Sequence, residues 1–113
     1  MLGAQRGLGF DIQSVLATPE KPDAPIFIEV KSTKRVTAPS LFKDSINLTR
    51  NEWVAAESHG KNYYIYRVYF TASGTQIFSI HDPYGKSVNN DIYVLPLSYR
   101  LDFAESSGHF LDE

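Results

Sequence analysis

The readable pattern begins with alternation. In 10–16, Phe-Asp-Ile-Gln-Ser-Val-Leu, Phe10 and Ile12 alternate with Asp11 and Gln13, as in a strand with one buried face. Residues 18–25 hold three prolines in eight positions and read as a connection. Ile26, Ile28 and Val30 then alternate with Phe27, Glu29 and Lys31, a second strand that most simply pairs with the first as a hairpin. Residues 32–47 are polar and irregular, interrupted by Pro39. Thr49-Arg50-Asn51-Glu52 has the form of a capping box, and Leu48 and Trp53 stand at the two positions of a hydrophobic staple. The predicted helix is short, about 50–59, and stops at His59-Gly60. Residues 62–70 are nearly all aromatic or β-branched, the strongest strand of the chain. Ala72-Ser73-Gly74 turns it, 76–81 returns, and Asp82-Pro83-Tyr84-Gly85 ends the return. Residues 91–97 give one more apolar stretch, closing near Pro96. The tail from Asp102 reads as a short helix or disorder. The order β-β-α-β-β-β predicts an α+β fold with one mixed sheet and few helices.

Composition narrows the classes. With 113 residues, 42% hydrophobic and 21% charged, the chain is expected to be a single globular domain, its core at about 9–100 and an acidic tail at 101–113. No apolar run approaches a membrane span and no signal segment opens the chain. There is no cysteine, so disulfides, thiolate metal sites and thiol catalysis are excluded. A cytoplasmic location is the expectation. The net charge of −2 does not advertise nucleic acid. Its distribution is uneven, however: Lys31, Lys34, Arg35, Lys43 and Arg50 stand against Asp44 alone in 31–50. Such a stretch either tracks phosphates or is a solvated loop.

The hairpin holds the sharpest candidate chemistry. Alternation puts Glu29 and Lys31 on one face, and a loop centred near residue 21 sets Asp11 across from them. Two carboxylates and an ammonium would then meet on the sheet surface, away from the apolar set. Hard divalent cations take carboxylate oxygens, and a lysine beside them can hold an attacking water and stabilise charge on a phosphate. The competing reading is a surface ion pair worth at most ~1 kcal/mol.

Four blocks carry a resemblance: 9–14, Gly-Phe-Asp-Ile-Gln-Ser; 27–33, Phe-Ile-Glu-Val-Lys-Ser-Thr; 48–53, Leu-Thr-Arg-Asn-Glu-Trp; and 64–68, Tyr-Ile-Tyr-Arg-Val. In order and together they resemble the domain at the C-terminus of the plant protein NO VEIN, over roughly 7–83. That family is in turn similar to the PD-(D/E)XK, Mrr-like restriction-endonuclease superfamily. The resemblance implies a restriction-endonuclease-like mixed sheet and phosphodiester hydrolysis assisted by magnesium or manganese. Asp11, Glu29 and Lys31 would be catalytic, and Asp11, Glu29 and the Val30 carbonyl would bind the metal. Gln13 has no motif role. Lys34, Arg35, Arg50 and Asn51 would contact nucleic acid, DNA in the first instance. The superfamily core opens with a helix and a strand that the ten residues before Asp11 are too few to supply. The expectation is that this N-terminal helix is missing, and that a homodimer or a partner covers the face it leaves.

The alternative function is a non-catalytic interaction or dimerisation domain that keeps the nuclease fold. Other motifs are weaker. His59, His81 and His109 are scattered, His81-Asp82 reads as a strand end, and there is no Gly-x-Ser-x-Gly elbow or phosphate loop. Tyr63, Tyr64, Tyr66 and Tyr69 read as packing rather than base-stacking residues.

Overall fold

The computed structural model describes residues 9–16, 24–35, 43–95 and 100–111. Its elements are strands β1 (Ile12–Leu16), β2 (Ala24–Lys34) and β3 (Lys43–Asn47), helix α1 (Arg50–His59), strands β4 (Tyr63–Thr71) and β5 (Gly74–His81), helix α2 (Pro83–Val88), and strands β6 (Tyr93–Leu95), β7 (Arg100–Ala104) and β8 (His109–Phe110). A mixed sheet runs β1-β2-β4-β5-β8, and β3-β7-β6 form a second, antiparallel sheet. Within the first sheet β1 and β2 are the expected antiparallel pair, while β2 and β4 are parallel. A parallel pair needs a crossover, and α1 lies within it. The fold is α+β, a mixed sheet with two short helices.

Helix α1 begins and ends where its residue pattern requires. The Thr49 hydroxyl accepts from Glu52 N at 3.1 Å, and Glu52 Oε1 accepts from Thr49 N at 2.8 Å, closing the capping box. Gly60, at φ 53°, takes the C-cap.

Three expectations are corrected. The polar stretch 32–47 contains the end of β2 and all of β3. In β3 the inward positions are Asp44 and Ile46, against exposed Ser45 and Asn47, so an aspartate pointing inward disguised the alternation. The acidic tail is not disordered at 100–110, and its helix is a single 3-10 turn at Glu105–Ser107 between β7 and β8; in β7, Leu101 and Phe103 are buried while Arg100 is exposed. Asp82-Pro83-Tyr84-Gly85 does more than end a strand, because Asp82 caps α2 by accepting from Gly85 N, with Pro83 at its first turn. The sheet is therefore joined by a second one. Pro39, Pro96 and most of the loop at 18–25 lie outside the described residues.

The core forms between α1, the second sheet and one face of the first. Tyr63, Ile65 and Tyr69 of β4 and Phe78 and Ile80 of β5 are inaccessible to solvent, and they cluster with Ala55 and Ala56 of α1, Ile46 of β3 and Leu101 and Phe103 of β7. Phe78 stacks on Phe103 at 5.4 Å. One polar node crosses this interface. Buried Asp44 accepts from Arg67 Nε at 2.9 Å, from the Tyr69 hydroxyl at 2.6 Å and from an Arg35 guanidinium nitrogen at 3.1 Å. Burial pushes its carboxyl up, but Arg67, Tyr69 and the Ser45 N–H outweigh that and hold it below the ordinary range.

Candidate active site

Register decides which side chains meet. In the parallel pair, Phe27, Glu29, Lys31 and Thr33 of β2 lie beside Tyr63, Ile65, Arg67 and Tyr69 of β4, so all share one face. That is the core face, under α1. Phe27 confirms it by stacking on His59 of α1 at 3.7 Å. The expectation that Glu29 and Lys31 sit on an open sheet surface is thus corrected: Glu29 is 3% exposed. Ile28 is buried on the opposite face, where Ile26 and Val30 are half-buried. The inference from alternation failed because β2 is interior to the sheet and carries apolar residues on both faces.

Asp11 reaches the same place from the end of β1. Ile12 pairs with Ile28, and one residue further along that register Asp11 falls opposite Glu29. Its backbone N donates to Ile28 O at 2.9 Å, and its Oδ2 accepts from Val30 N at 2.8 Å. The N–H and C=O of a strand residue point to the same edge, so the Val30 carbonyl opens on the side where Asp11 lies. Gly9 fixes the approach. It is buried at φ 79°, its carbonyl accepts from the Tyr63 hydroxyl at 2.5 Å, and a Cβ there would collide with the Asn51 carbonyl and Ala55. Only glycine fits. Gln13 pairs with Phe27 in the ladder.

Lys31 Nζ lies 3.4 Å from Glu29 Oε2 and 2.9 Å from Glu52 Oε1. Asp11, Glu29, Lys31 and Glu52 therefore form one charged cluster at the margin of the core. Burial, then the charges of Glu52 and Asp11, push the Glu29 carboxyl up to about 8 against the pull of Lys31. Burial also disfavours charge on Lys31 and Glu52. In Lys31 the bond to Glu52 and the two carboxylates outweigh it and raise the ammonium, while in Glu52 the Thr49 N–H and Lys31 outweigh it and lower the carboxyl.

Glu52 is the site residue that sequence reasoning missed, because the capping box accounted for it completely. Its second partner appears only once α1 is known to cross over the β2–β4 pair. Arg67 was also missed; besides Asp44 it donates to the Lys31 carbonyl at 3.3 Å, bracing the backbone of β2.

The residues assigned to nucleic acid are not all brought together. Arg50 and Asn51 are exposed in the first turn of α1, next to Glu52. Lys34 is exposed but pairs with Phe70 in the register, on the face opposite Lys31. Arg35 is exposed, yet its guanidinium is engaged by Asp44 and sits 5.9 Å over the Tyr69 ring.

Of the tyrosines, Tyr63 and Tyr69 are core residues, and Tyr64 stacks on His81 at 4.6 Å. Among the described residues no three His, Asp or Glu side chains form a ready metal cage, and no helix is long and apolar enough to cross a membrane. A cleft of about 480 Å³ lies away from the cluster and is acidic, lined by Asp44, Asp91, Asp102 and Tyr93 among others.

No curated protein and no solved structure matches the chain. Residues 3–80 match the family described as Protein NO VEIN, C-terminal. That span is more than half of the chain and contains Asp11, Glu29, Lys31 and Glu52, and the chain belongs to this NO VEIN C-terminal family.

Proposed function

We propose that this domain is a metal-dependent nuclease of restriction-endonuclease-like descent, acting on phosphodiester bonds of nucleic acid, DNA in the first instance. The observation that carries the reading is the convergence of Asp11, Glu29 and Lys31 where β1 begins alongside the middle of β2. The donor set fits magnesium or manganese: two carboxylates and the Val30 carbonyl are hard oxygen ligands, and waters or phosphate oxygens complete such a shell. Glu29 is pushed up to about 8 by burial and by the neighbouring carboxylates Glu52 and Asp11, which Lys31 only partly offsets, and a divalent cation would counter that negative charge. Asp11 and Glu29 would hold the cation. When bound, it polarises a phosphate oxygen and lowers the pKa of a coordinated water. Lys31 would orient the attacking water and place positive charge where the phosphate gains negative charge. Arg50 and Asn51, exposed at the start of α1, face the phosphate backbone, and Arg35 extends the contact past the end of β2, whereas Lys34 points to the opposite face.

Thermal melts with and without millimolar magnesium or manganese, alongside a cleavage assay, test the reading. A cation that binds only the native state at ten times its Kd adds about 1.4 kcal/mol, roughly a 5 °C rise in Tm for a domain of this size. Glu29→Gln should abolish most of that rise. Lys31→Ala should keep the rise and lose cleavage. A wild type with no metal response and no cleavage overturns the enzyme and favours an interaction domain that keeps the fold.

A further inference from the structure

We infer that Glu52 is a positioning residue that holds the Lys31 ammonium over the reacting phosphate, tying the site to the start of α1. The inference rests on the reading above, in which Glu29 is committed to a cation. Lys31 Nζ has two carboxylate neighbours, and the nearer is Glu52 at 2.9 Å against 3.4 Å for Glu29. They are not equivalent anchors. A cation on Glu29 repels the ammonium, so that contact weakens when the site fills. Glu52 lies beside Glu29, close enough for the two carboxyls to share a hydrogen bond, but it has an anchor of its own at the start of α1. Its Oε1 accepts from Thr49 N, while its own backbone N donates to the Thr49 hydroxyl. Arg67 holds the other end of the same residue, donating to the Lys31 carbonyl. Lys31 is thus restrained at backbone and tip by groups that do not ligate metal. A carboxylate on a helix N-terminus is favoured by the helix dipole, so Glu52 stays charged and the cap and the clamp are one residue. This is a different role from capping alone, which the Thr49 hydroxyl serves as well.

The test uses the full chain with ¹⁵N-labelled lysine. Ammonium protons exchange with water too fast to be seen unless a partner holds them, and Lys31→Arg assigns the signal. The wild type should show a resolved Lys31 ammonium resonance both with and without magnesium. Glu52→Gln, which can still close a capping box, should lose it. Glu29→Gln should keep it. Thr49→Ala weakens the same helix start but leaves the clamp, so it should also keep it. Persistence in Glu52→Gln, loss in Glu29→Gln or on adding magnesium, or absence in the wild type each overturns the proposal. In cleavage of a DNA duplex, Glu52→Gln should lower kcat about 10- to 100-fold with little change in KM, and Glu52→Asp should recover part of it. A wild type that keeps the resonance pattern but cleaves nothing overturns the nuclease reading and leaves the clamp standing.

Discussion

Glu29 is the residue at which burial and chemistry conflict most directly. It is 3% exposed, and burial with Glu52 and Asp11 nearby raises its carboxyl from 4.5 to about 8. The unfolded chain therefore releases this proton near pH 4.5, and the folded chain keeps it until about pH 8. Between those values the native state binds one more proton, so the Glu29 contribution to stability falls as pH rises, by at most about 1.4 kcal/mol per pH unit, and levels off above. Asp44 and Glu52, whose carboxyls are held low, act in the acid range instead: their stabilisation is lost as pH falls below the ordinary carboxylate range. His59, lowered by burial, opposes the Glu29 slope just below pH 6.5. Comparing wild type with Glu29→Gln cancels Asp44 and His59, which are not among the groups acting on Glu29. Urea unfolding from pH 5 to pH 9 should show the wild type losing stability relative to the variant up to about pH 8, with the difference constant beyond. Parallel pH profiles would mean that Glu29 ionises normally in the folded chain.

At the scale of elements, the site depends on how the lead into β1 docks beneath α1. Gly9 touches the helix backbone, and its carbonyl takes the Tyr63 hydroxyl from β4, so three elements meet two residues before Asp11. Gly9→Ala places a side chain at φ 79° against Asn51 and Ala55. The left-handed conformation costs about 1 kcal/mol and the collision about 1–3 kcal/mol more. The variant should unfold about 2–4 kcal/mol more easily in urea and, by displacing Asp11, lose most of any magnesium-induced rise in Tm. A melt within 1 °C of wild type would sink the docking argument. Much of this arrangement was legible in the sequence. Alternation located β1 and β2, the run of aromatic and β-branched residues located β4, the Thr49–Glu52 box located α1, and the hairpin register brought Asp11 to Glu29. Three features were not legible, each because it depends on contacts between distant segments. The alternation of β3 was broken by Asp44, whose inward aspartate makes sense only beside Arg67 and Tyr69. The covered face of β2 could not be chosen, since Phe27 and Ile28 are equally apolar and only the position of α1 separates them. Glu52 was fully explained by its own helix until Lys31 reached it across the fold.

For the whole molecule, charge sets how it can meet nucleic acid. The chain carries −2 overall, so no long-range field draws a polyanion to it, and binding must come from a few local contacts. Arg50 is exposed beside the charged cluster and Arg35 shares its guanidinium with Asp44, while Lys34 is exposed on the opposite face of β2. Two phosphate contacts on duplex DNA give a slope of log K against log salt near −2, and each lost contact removes about one unit. Fluorescence anisotropy with a short duplex between about 50 and 200 mM salt measures this directly. Arg50→Ala should weaken binding and flatten the slope by about one. Arg35→Ala should flatten it less, because part of that charge is already spent on Asp44, and should lower stability because Asp44 loses one of its donors. A slope that does not change in Arg50→Ala moves the phosphate path away from the start of α1. No binding at the lowest salt removes nucleic acid as the partner, because phosphate contacts are strongest there.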